Sequence, residues 1–513
     1  MSAEPAPTLS AALIATAQRW PDRPALLCPR HRITHAGLVE AAGRLTAIYQ
    51  RLGVVPGDRV ACSVGNRCEH LIAMLAAWNC GAVHVATDHK FTVPELDAVV
   101  TKTGARLLIY EPGDGRMNPY ATPSALRRRH PDLQYVVVTP HLAPAEFVRW
   151  TIDDLGEPAT GPGPAPADPA VVFVSSGTTG TPKTTVGFHG NLAGRWRGLA
   201  GWLEFRPDDV HLAQLPLSHG FGMMMAMAAL LSGGSLVLLD RFSPEAALQA
   251  CGEHGVTVLN GAPAHFSLLL DRLDPAMHDI GTLRFSVGTA GSFPPELVNA
   301  IWERLSVDLM VMYGSSEGIG VATKDVEDVL RGSVGRPDPG SVRIVTPERE
   351  TLPVGEVGEV AFSRATFPVR YYGETPPADP WYYSGDLGRL DEQGRLYIHG
   401  RLAHRIDRGG LKVDPVEVER ALLRCADVAD AAVFGRTDPV VGEIVCACVQ
   451  AAAGRQPELV ALRAELSDRL APFKLPEELC LVDEIPRTAI GKVDLPRLRE
   501  AAATAPTQRL ARR

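Results

Sequence analysis

The chain has 513 residues, of which 45% are hydrophobic and 21% charged; this exceeds what one hydrophobic core ordinarily supports, so at least two domains are expected and global disorder is excluded. A formal net charge of -8 offers no general basic surface to nucleic acid and favours a small-molecule partner. The nine cysteines (28, 62, 68, 80, 251, 425, 446, 448 and 480) are odd in number and contain no pair at the spacing of zinc sites, so they read as reduced core thiols.

In chain order, the opening MSAEPAPTLSAALIATAQRW has no basic residue ahead of its apolar stretch and carries Glu4 and two prolines. It does not fit a secretory signal, and a cytoplasmic location is expected. Apolar strand-like runs at 59–64, 105–110, 135–138, 235–239 and 256–261 alternate with helical stretches such as 69–79. That alternation predicts α/β layers with largely parallel sheets. Residues 156–169, GEPATGPGPAPADP, are too rich in Pro, Gly and Ala for regular structure and read as an exposed connector into the strand AVVFVSS. The most apolar window, 223–239, is broken by SGGS at 232–235, which predicts a buried helix, a turn and a buried strand rather than a membrane span. Short strands with Gly turns dominate from 355 to 399, and a new pattern starts at 400. There 416–423 and 458–470 predict helices, while VADAAVFGR and EIVCACVQ predict strands, the latter with Cys446 and Cys448 on one face in a packing role. A C-terminal α+β domain of roughly 110 residues is expected.

The strand AVVFVSS leads into Gly177, Thr178, Thr179, Gly180, Thr181, Pro182 and Lys183. Glycine, hydroxyls and a lysine suit a loop that presents N–H and O–H groups to phosphate. It is not a Walker loop, because Pro182 stands where the second glycine would be and has neither an N–H nor a free φ.

The string SSGTTGTPK (175–183) resembles the phosphate-binding signature of the adenylate-forming superfamily, which comprises acyl-CoA synthetases, adenylation domains and luciferase-like enzymes. LPLSHGFG (215–222), TAGSFPPE (289–296), MYGSSEG (312–318), YYSGDLG (382–388), GRLAHRIDRGGLKVDPVEVE (400–419) and PRTAIGK (486–492) follow in that family's order and spacing, and 9–26 is similar to family N-termini. The resemblance implies an α/β fold with a large N-terminal domain at 1–400, built from two layered α/β subdomains and a small β-rich one. A small mobile α+β lid at 401–513 would follow.

It also implies the chemistry: ATP-dependent adenylation of a small, aryl carboxylic acid with Mg2+, then transfer to the thiol of CoA. Lys492 would bridge the attacking carboxylate and the α-phosphate. The chain holds seven lysines among 51 lysines and arginines, so a lysine at 183 and at 492 stands out against an arginine-biased surface. Glu317 would help hold Mg2+, a hard ion that prefers oxygen ligands. By the same resemblance Ser175, Ser176, Gly177, Thr178, Thr179, Gly180 and Lys183 would cradle phosphate. Tyr313 would stack on adenine, with Gly291, Ser292, Gly314 and Ser315 lining the nucleotide and Ser316 nearing the α-phosphate. Asp386 and Arg401 would contact the ribose, and Gly409 and Gly410 would flank the thiol channel. His219, Phe221, Met224 and Ile319 would wall the acyl pocket.

Three positions depart from the family pattern: Thr184 where Gly usually follows the loop lysine, Leu495 where a basic residue is common, and Ala403 at the hinge position, where relatives carry Asp or Lys. Alanine has no charge to exchange between two domain orientations, so the second half-reaction is less secured than the first. Two other readings share these motifs. One is a free-standing enzyme loading a carrier-protein phosphopantetheine; the other is a diazotase-like enzyme that activates nitrite for an aryl amine.

Overall fold

The computed structural model describes residues 7–112, 120–139, 144, 146–175, 183–291, 293–315, 317–375, 377–408, 411–488 and 491–510. Among them, four sheets account for the architecture. A seven-stranded sheet runs Val148–Trp150, Gln134–Val138, Leu107–Tyr110, Arg59–Ser63, Val83–Ala86, Pro169–Ser175 and Lys183–Phe188, and all of its pairings are parallel except the last. An eight-stranded sheet runs Gly320–Thr323, Asp308–Gly314, Phe285–Gly288, Val258–Gly261, Val210–Ala213, Ser235–Leu238, Pro24–Cys28 and His31–Thr34, antiparallel only at its two edges. These are the two α/β subdomains, and inner parallel strands such as Val83–Ala86, Leu107–Tyr110, Ser235–Leu238 and Val258–Gly261 are buried along their lengths, as strands of parallel sheets covered on both faces are.

The apolar stretch at 223–239 forms the helix Gly220–Leu231 and the buried strand Ser235–Leu238, as its interruption predicts. No helix of the described residues is long and apolar enough to cross a membrane.

The Pro/Gly-rich segment forms no helix or strand over 156–168 and has no buried residue over 156–169, as expected of an exposed connector. Leu155 is 98% exposed, but beyond it the backbone lies against two helices, with Ala159 N–H donating to the Gly43 carbonyl (3.0 Å) and Gly163 N–H to that of Asn79 (3.1 Å). A Cβ at Gly161 would sit 1.9 Å from the Asn79 carbonyl oxygen. Small and imino residues thus also allow this exposed segment a close backbone approach to the helices.

Residues 355–399 contribute to a five-stranded antiparallel sheet: Ser333–Gly335, Leu396–Arg401, Trp381–Leu390, Gly358–Ser363 and Val342–Val345. The buried Asp328 fastens it to the eight-stranded sheet. This carboxylate, on the short helix Val326–Leu330, accepts from Arg395 Nε (2.6 Å) and pairs with Arg336 Nη1 (2.8 Å). After a 3-10 turn at Leu402–His404, the last sheet holds Leu411–Val413, Ile406–Arg408, Gly442–Ala451, Glu478–Leu481 and Thr507–Arg509, with Val428–Asp438 also paired to Gly442–Ala451. The first C-terminal helix is Pro415–Leu422, capped by Asp414; the second, Leu459–Leu466, is shorter than its apolar pattern. All nine cysteines are free thiols. Cys446 and Cys448 share a buried face as expected, and Cys480 from the neighbouring strand joins them.

Candidate active site

Four neighbouring parallel strands, Val210–Ala213, Val258–Gly261, Phe285–Gly288 and Asp308–Gly314, end on the same edge of the eight-stranded sheet. In an open parallel sheet that edge is where a ligand crevice forms. Tyr313 stands at the end of the last of these strands, and the loops that leave this edge carry His219, Gly291, Ser315 and Glu317.

The five-stranded sheet brings Asp386 to this rim. Its carboxylate accepts from Tyr313 Oη (2.5 Å) and pairs with Arg401 Nε (2.8 Å). Arg401 stands opposite Asp386 in the strand register and also donates to the Ser384 carbonyl (3.2 Å). Asp386 is 5% exposed. Burial raises its pKa, while the Arg401 guanidinium and the Tyr313 hydroxyl pull it down. Burial also raises the Tyr313 phenol, reinforced by the Asp386 charge, so the hydroxyl remains a donor. The Tyr313 ring lies 6.2 Å from that of Phe362, tilted by 27°.

Beyond Tyr313 the chain turns tightly. Gly318 N–H donates to the Ser315 carbonyl (3.0 Å), and Gly314 pairs with Gly320. The buried Ser315 Oγ has no hydrogen-bond partner. Glu317 stands beside Tyr371 and Tyr382, whose phenols are raised first by burial and then by its carboxylate. The register also bridges Thr185 to Tyr371, and the Thr184 carbonyl accepts from Tyr372 N–H (2.7 Å). Thr184, the residue in glycine's usual place, is therefore a buried part of this junction.

Lys492 arrives from the C-terminal region on a short turn. Gly491 N–H donates to the Thr488 carbonyl (2.8 Å), Thr488 N–H to that of Lys492 (2.7 Å), and Arg487 forks onto both Asp430 oxygens (2.9 and 2.7 Å). Burial and the Arg401 guanidinium lower the Lys492 pKa, opposed by the carboxylates of Asp386 and Glu317. Lys492, Glu317, Asp386 and Arg401 thus share one electrostatic neighbourhood. His219, at the start of the helix Gly220–Leu231, belongs to it too: burial first and then the Lys492 charge lower its pKa, so the imidazole is neutral at pH 7.

Two residues here escaped sequence reasoning. A Cβ at Gly491 would stand 2.9 Å from Ala262 Cβ and 3.5 Å from His265 Cε1, so the lysine turn seats on the start of the helix Pro263–Arg272. His265 Nδ1 accepts from Ala262 N–H (3.2 Å), and burial lowers its pKa to about 4. The only available signal was a helix-start pattern, Pro263 followed by a histidine that can cap. His404, lowered by burial and by Arg401, is the second; an isolated histidine gives no pattern to read.

Not every expected residue joins the group. Ile319 is 3% exposed and belongs to the apolar core of the β-rich sheet with Val321, Val342, Val360 and Phe362, against which Tyr313 packs. Phe221 and Met224 lie half-buried on the first turn and a half of the helix after His219. Lys183 pairs with Ser175 across an antiparallel hairpin, a geometry different from the strand-to-helix loop of Walker sites. Ser176, Gly177, Thr178, Thr179, Gly180, Ser292, Ser316, Gly409 and Gly410 lie outside the described residues.

Gly491 has φ +78, so a side chain there is strained as well as obstructed by Ala262. Gly491→Ala is expected to slow adenylate formation at least tenfold in single-turnover assays while leaving the melting temperature of the whole chain nearly unchanged. An unaltered rate would show that the seat on Ala262 does not matter.

A parallel-sheet rim, capped by a β-rich unit and met by a lysine from a smaller α+β unit, defines a two-part α/β enzyme architecture. Comparison with known proteins identifies which one: residues 13–372 match the model of the AMP-binding enzymes and residues 417–492 that of the AMP-binding enzyme C-terminal domain, and the chain belongs to this family. It is 32% identical over 498 residues to a sulfoacetate–CoA ligase of Cupriavidus necator, covering 95% of this chain and 96% of that one. It is 30% identical over 522 residues to a 2-hydroxy-7-methoxy-5-methyl-1-naphthoate–CoA ligase of Streptomyces carzinostaticus, covering 96% and 93%. Among solved structures, ATP-bound MatB from Rhodopseudomonas palustris superposes with a TM-score of 0.81 at 25% identity, over 96% of this chain and 98% of that one.

Proposed function

We propose that this chain is an AMP-forming acid–thiol ligase, which joins a small carboxylic acid to ATP as an acyl-adenylate and passes the acyl group to the thiol of CoA. The observation that carries the reading is the seating of the Lys492 turn on Ala262 and His265, within the electrostatic reach of Glu317, Asp386 and Arg401. Adenylation brings two anions together, the attacking carboxylate and the α-phosphate, and a cation held between them offsets their repulsion. Lys492 is that cation. Asp386 still has acceptor capacity on each oxygen after engaging Tyr313 and Arg401, and it accepts from the ribose hydroxyls. Its clip on Tyr313 holds the ring where adenine stacks. The unpartnered Ser315 Oγ is a polar atom that a bound nucleotide satisfies. Ser175, Lys183 and the loop between them take the terminal phosphates.

The acidic oxygens fit a hard divalent ion: Glu317 offers one carboxylate, and Mg2+ commonly completes its shell with substrate phosphates and water. When bound, Mg2+ neutralises charge on the ATP phosphates. Glu317→Gln is expected to raise the Mg2+ concentration needed for half-maximal adenylation about tenfold or more, read by pyrophosphate release across a metal titration. An unchanged metal dependence would remove Glu317 from the site.

The neutral His219, with half-buried Phe221 and Met224, supports an aryl acid over a dianionic one, since no cation among these wall residues faces a second carboxylate. We assign 1–400 to the adenylating domain and 401–513 to a lid, with Ala403 in the 3-10 turn as the hinge. Dependence on ATP and CoA suits a cytoplasmic reaction.

Mass-spectrometric screening of a carboxylate panel with ATP, with CoA or a carrier protein as acceptor, tests the reading. Adenylates of aryl acids and their CoA thioesters are the expected products. AMP formation only with nitrite and an aryl amine would replace this reading by diazotisation, and acyl transfer only to a carrier protein would reassign the acceptor.

A further inference from the structure

We propose that Cys62, His70 and His84 form a buried metal site in the N-terminal core, which takes one thiophilic d10 ion, Cu(I) or Zn(II), through one thiolate and two neutral imidazoles. The register builds it. Strand Arg59–Ser63 runs parallel to Val83–Ala86 with Val60 opposite His84 and Cys62 opposite Ala86, so Cys62 and His84 share a face. The helix Cys68–Asn79 packs against these strands and contributes His70 from its first turn. All three residues are 0% exposed, and their ligand atoms lie within 4.8 Å of one another.

Unmet hydrogen bonding coincides here with convergent ligand atoms, whereas the buried His189 and His211, also without partners for their ring nitrogens, belong to no three-ligand group among the described residues. Neither ring nitrogen of His84 has a partner, nor does His70 Nε2. Buried polar groups are paired in nearly all structures, and an exception calls for a ligand, commonly a water or an ion. His70 Nδ1 lies 2.8 Å from the Val64 carbonyl. A carbonyl only accepts, so Nδ1 carries the proton and Nε2 presents a lone pair toward the cluster. Metal-binding histidines are held in this way, with the far nitrogen donating to a carbonyl. The two rings lie 5.3 Å apart at 57°, splayed rather than stacked. Burial keeps both imidazoles neutral, as ligands must be, lowering His70 to about 4. Burial also raises the Cys62 thiol, so binding must displace its proton, which leaves to solvent as the sulfur–metal bond forms.

Ligand distances of about 2.0 Å to nitrogen and 2.3 Å to sulfur require the donors to draw together by up to roughly an ångström, within the reach of small side-chain rotations. The charge balance favours Cu(I): one thiolate leaves a neutral complex, whereas Zn(II) would leave a positive charge in an apolar core. The other three-ligand group among the described residues, Cys446, Cys448 and Cys480, lacks this signature. Its thiols engage one another and neighbouring groups, with Cys446 and Cys480 Sγ 3.8 Å apart.

The test uses the full untagged chain, purified without chelator or refolded anaerobically with Cu(I) alone or Zn(II) alone. One equivalent of metal per chain is expected, with an X-ray absorption first shell of one sulfur and two nitrogens; the metal retained identifies the ion. Cys62→Ser and His84→Gln are each expected to lose at least tenfold in metal affinity, and Cys446→Ser to lose none. Metal should raise the melting temperature of wild type and not that of Cys62→Ser. Absence of metal after refolding with either ion, a first shell of sulfur alone, or metal lost in Cys446→Ser but retained in Cys62→Ser would overturn the proposal. The wild-type spectrum decides even where a core variant fails to fold.

Discussion

Lys492→Ala is expected to slow adenylate formation by about 10²- to 10³-fold, the usual loss for a preorganised electrostatic contact, while thiol transfer from a chemically prepared acyl-adenylate stays near normal. The asymmetry follows from the position of the lysine. Its turn is locked by Arg487 on Asp430 and seated on Ala262, so the ammonium is presented to the crevice while the domains stay in this arrangement. If the lid rotates between half-reactions, Lys492 leaves and contributes only to the first. A bulky replacement at Gly409 should do the reverse. Single-turnover measurement of each half separates the outcomes. Equal slowing of both halves by Lys492→Ala would mean that no such rotation divides the work, with Ala403 the first suspect as a hinge without charge.

Removing the Asp386 carboxylate should weaken ATP binding by about 1.5 to 3 kcal/mol, the scale of hydrogen bonds to a charged group. Asp386→Ala also leaves the Tyr313 hydroxyl and the Arg401 guanidinium without their shared acceptor, so part of any loss reflects a loosened pocket. Deoxy-ATP distinguishes the two contributions. If Asp386 accepts from the ribose, the penalty for deoxy-ATP seen in wild type should nearly vanish in the variant. A penalty of undiminished size would show that the ribose is held by another group, leaving Asp386 as a clip for Tyr313 and Arg401. A double-mutant cycle with Tyr313→Phe measures that clip directly.

Much of this arrangement was legible from local pattern. The alternation of apolar runs with helical stretches foretold parallel sheets because strands buried on both faces must be continuously apolar. The motifs around Tyr313, Asp386 and Lys492 were readable because each is contiguous, and its residue types suit its chemistry. That Ile319 joins the apolar core beside Tyr313 is not legible in the motif, since adjacency along the chain does not indicate which layer a side chain packs into. The Pro/Gly segment at 156–169 is legible as an exposed, irregular connector, but composition does not indicate which helices its backbone lies against.

The sequence by itself determined the class of fold, the order of the motifs and the chemical character of the loops, all of which depend on residues close together along the chain. Only the tertiary structure decided that Asp386 clips Tyr313 from 73 residues away, that the Lys492 turn seats on Ala262 and His265, and that Cys62, His70 and His84 converge in the core. Such meetings depend on strand order, register and the packing of one layer on another. Those are set by burial of whole faces, a non-local and non-directional force that leaves no mark at any single position.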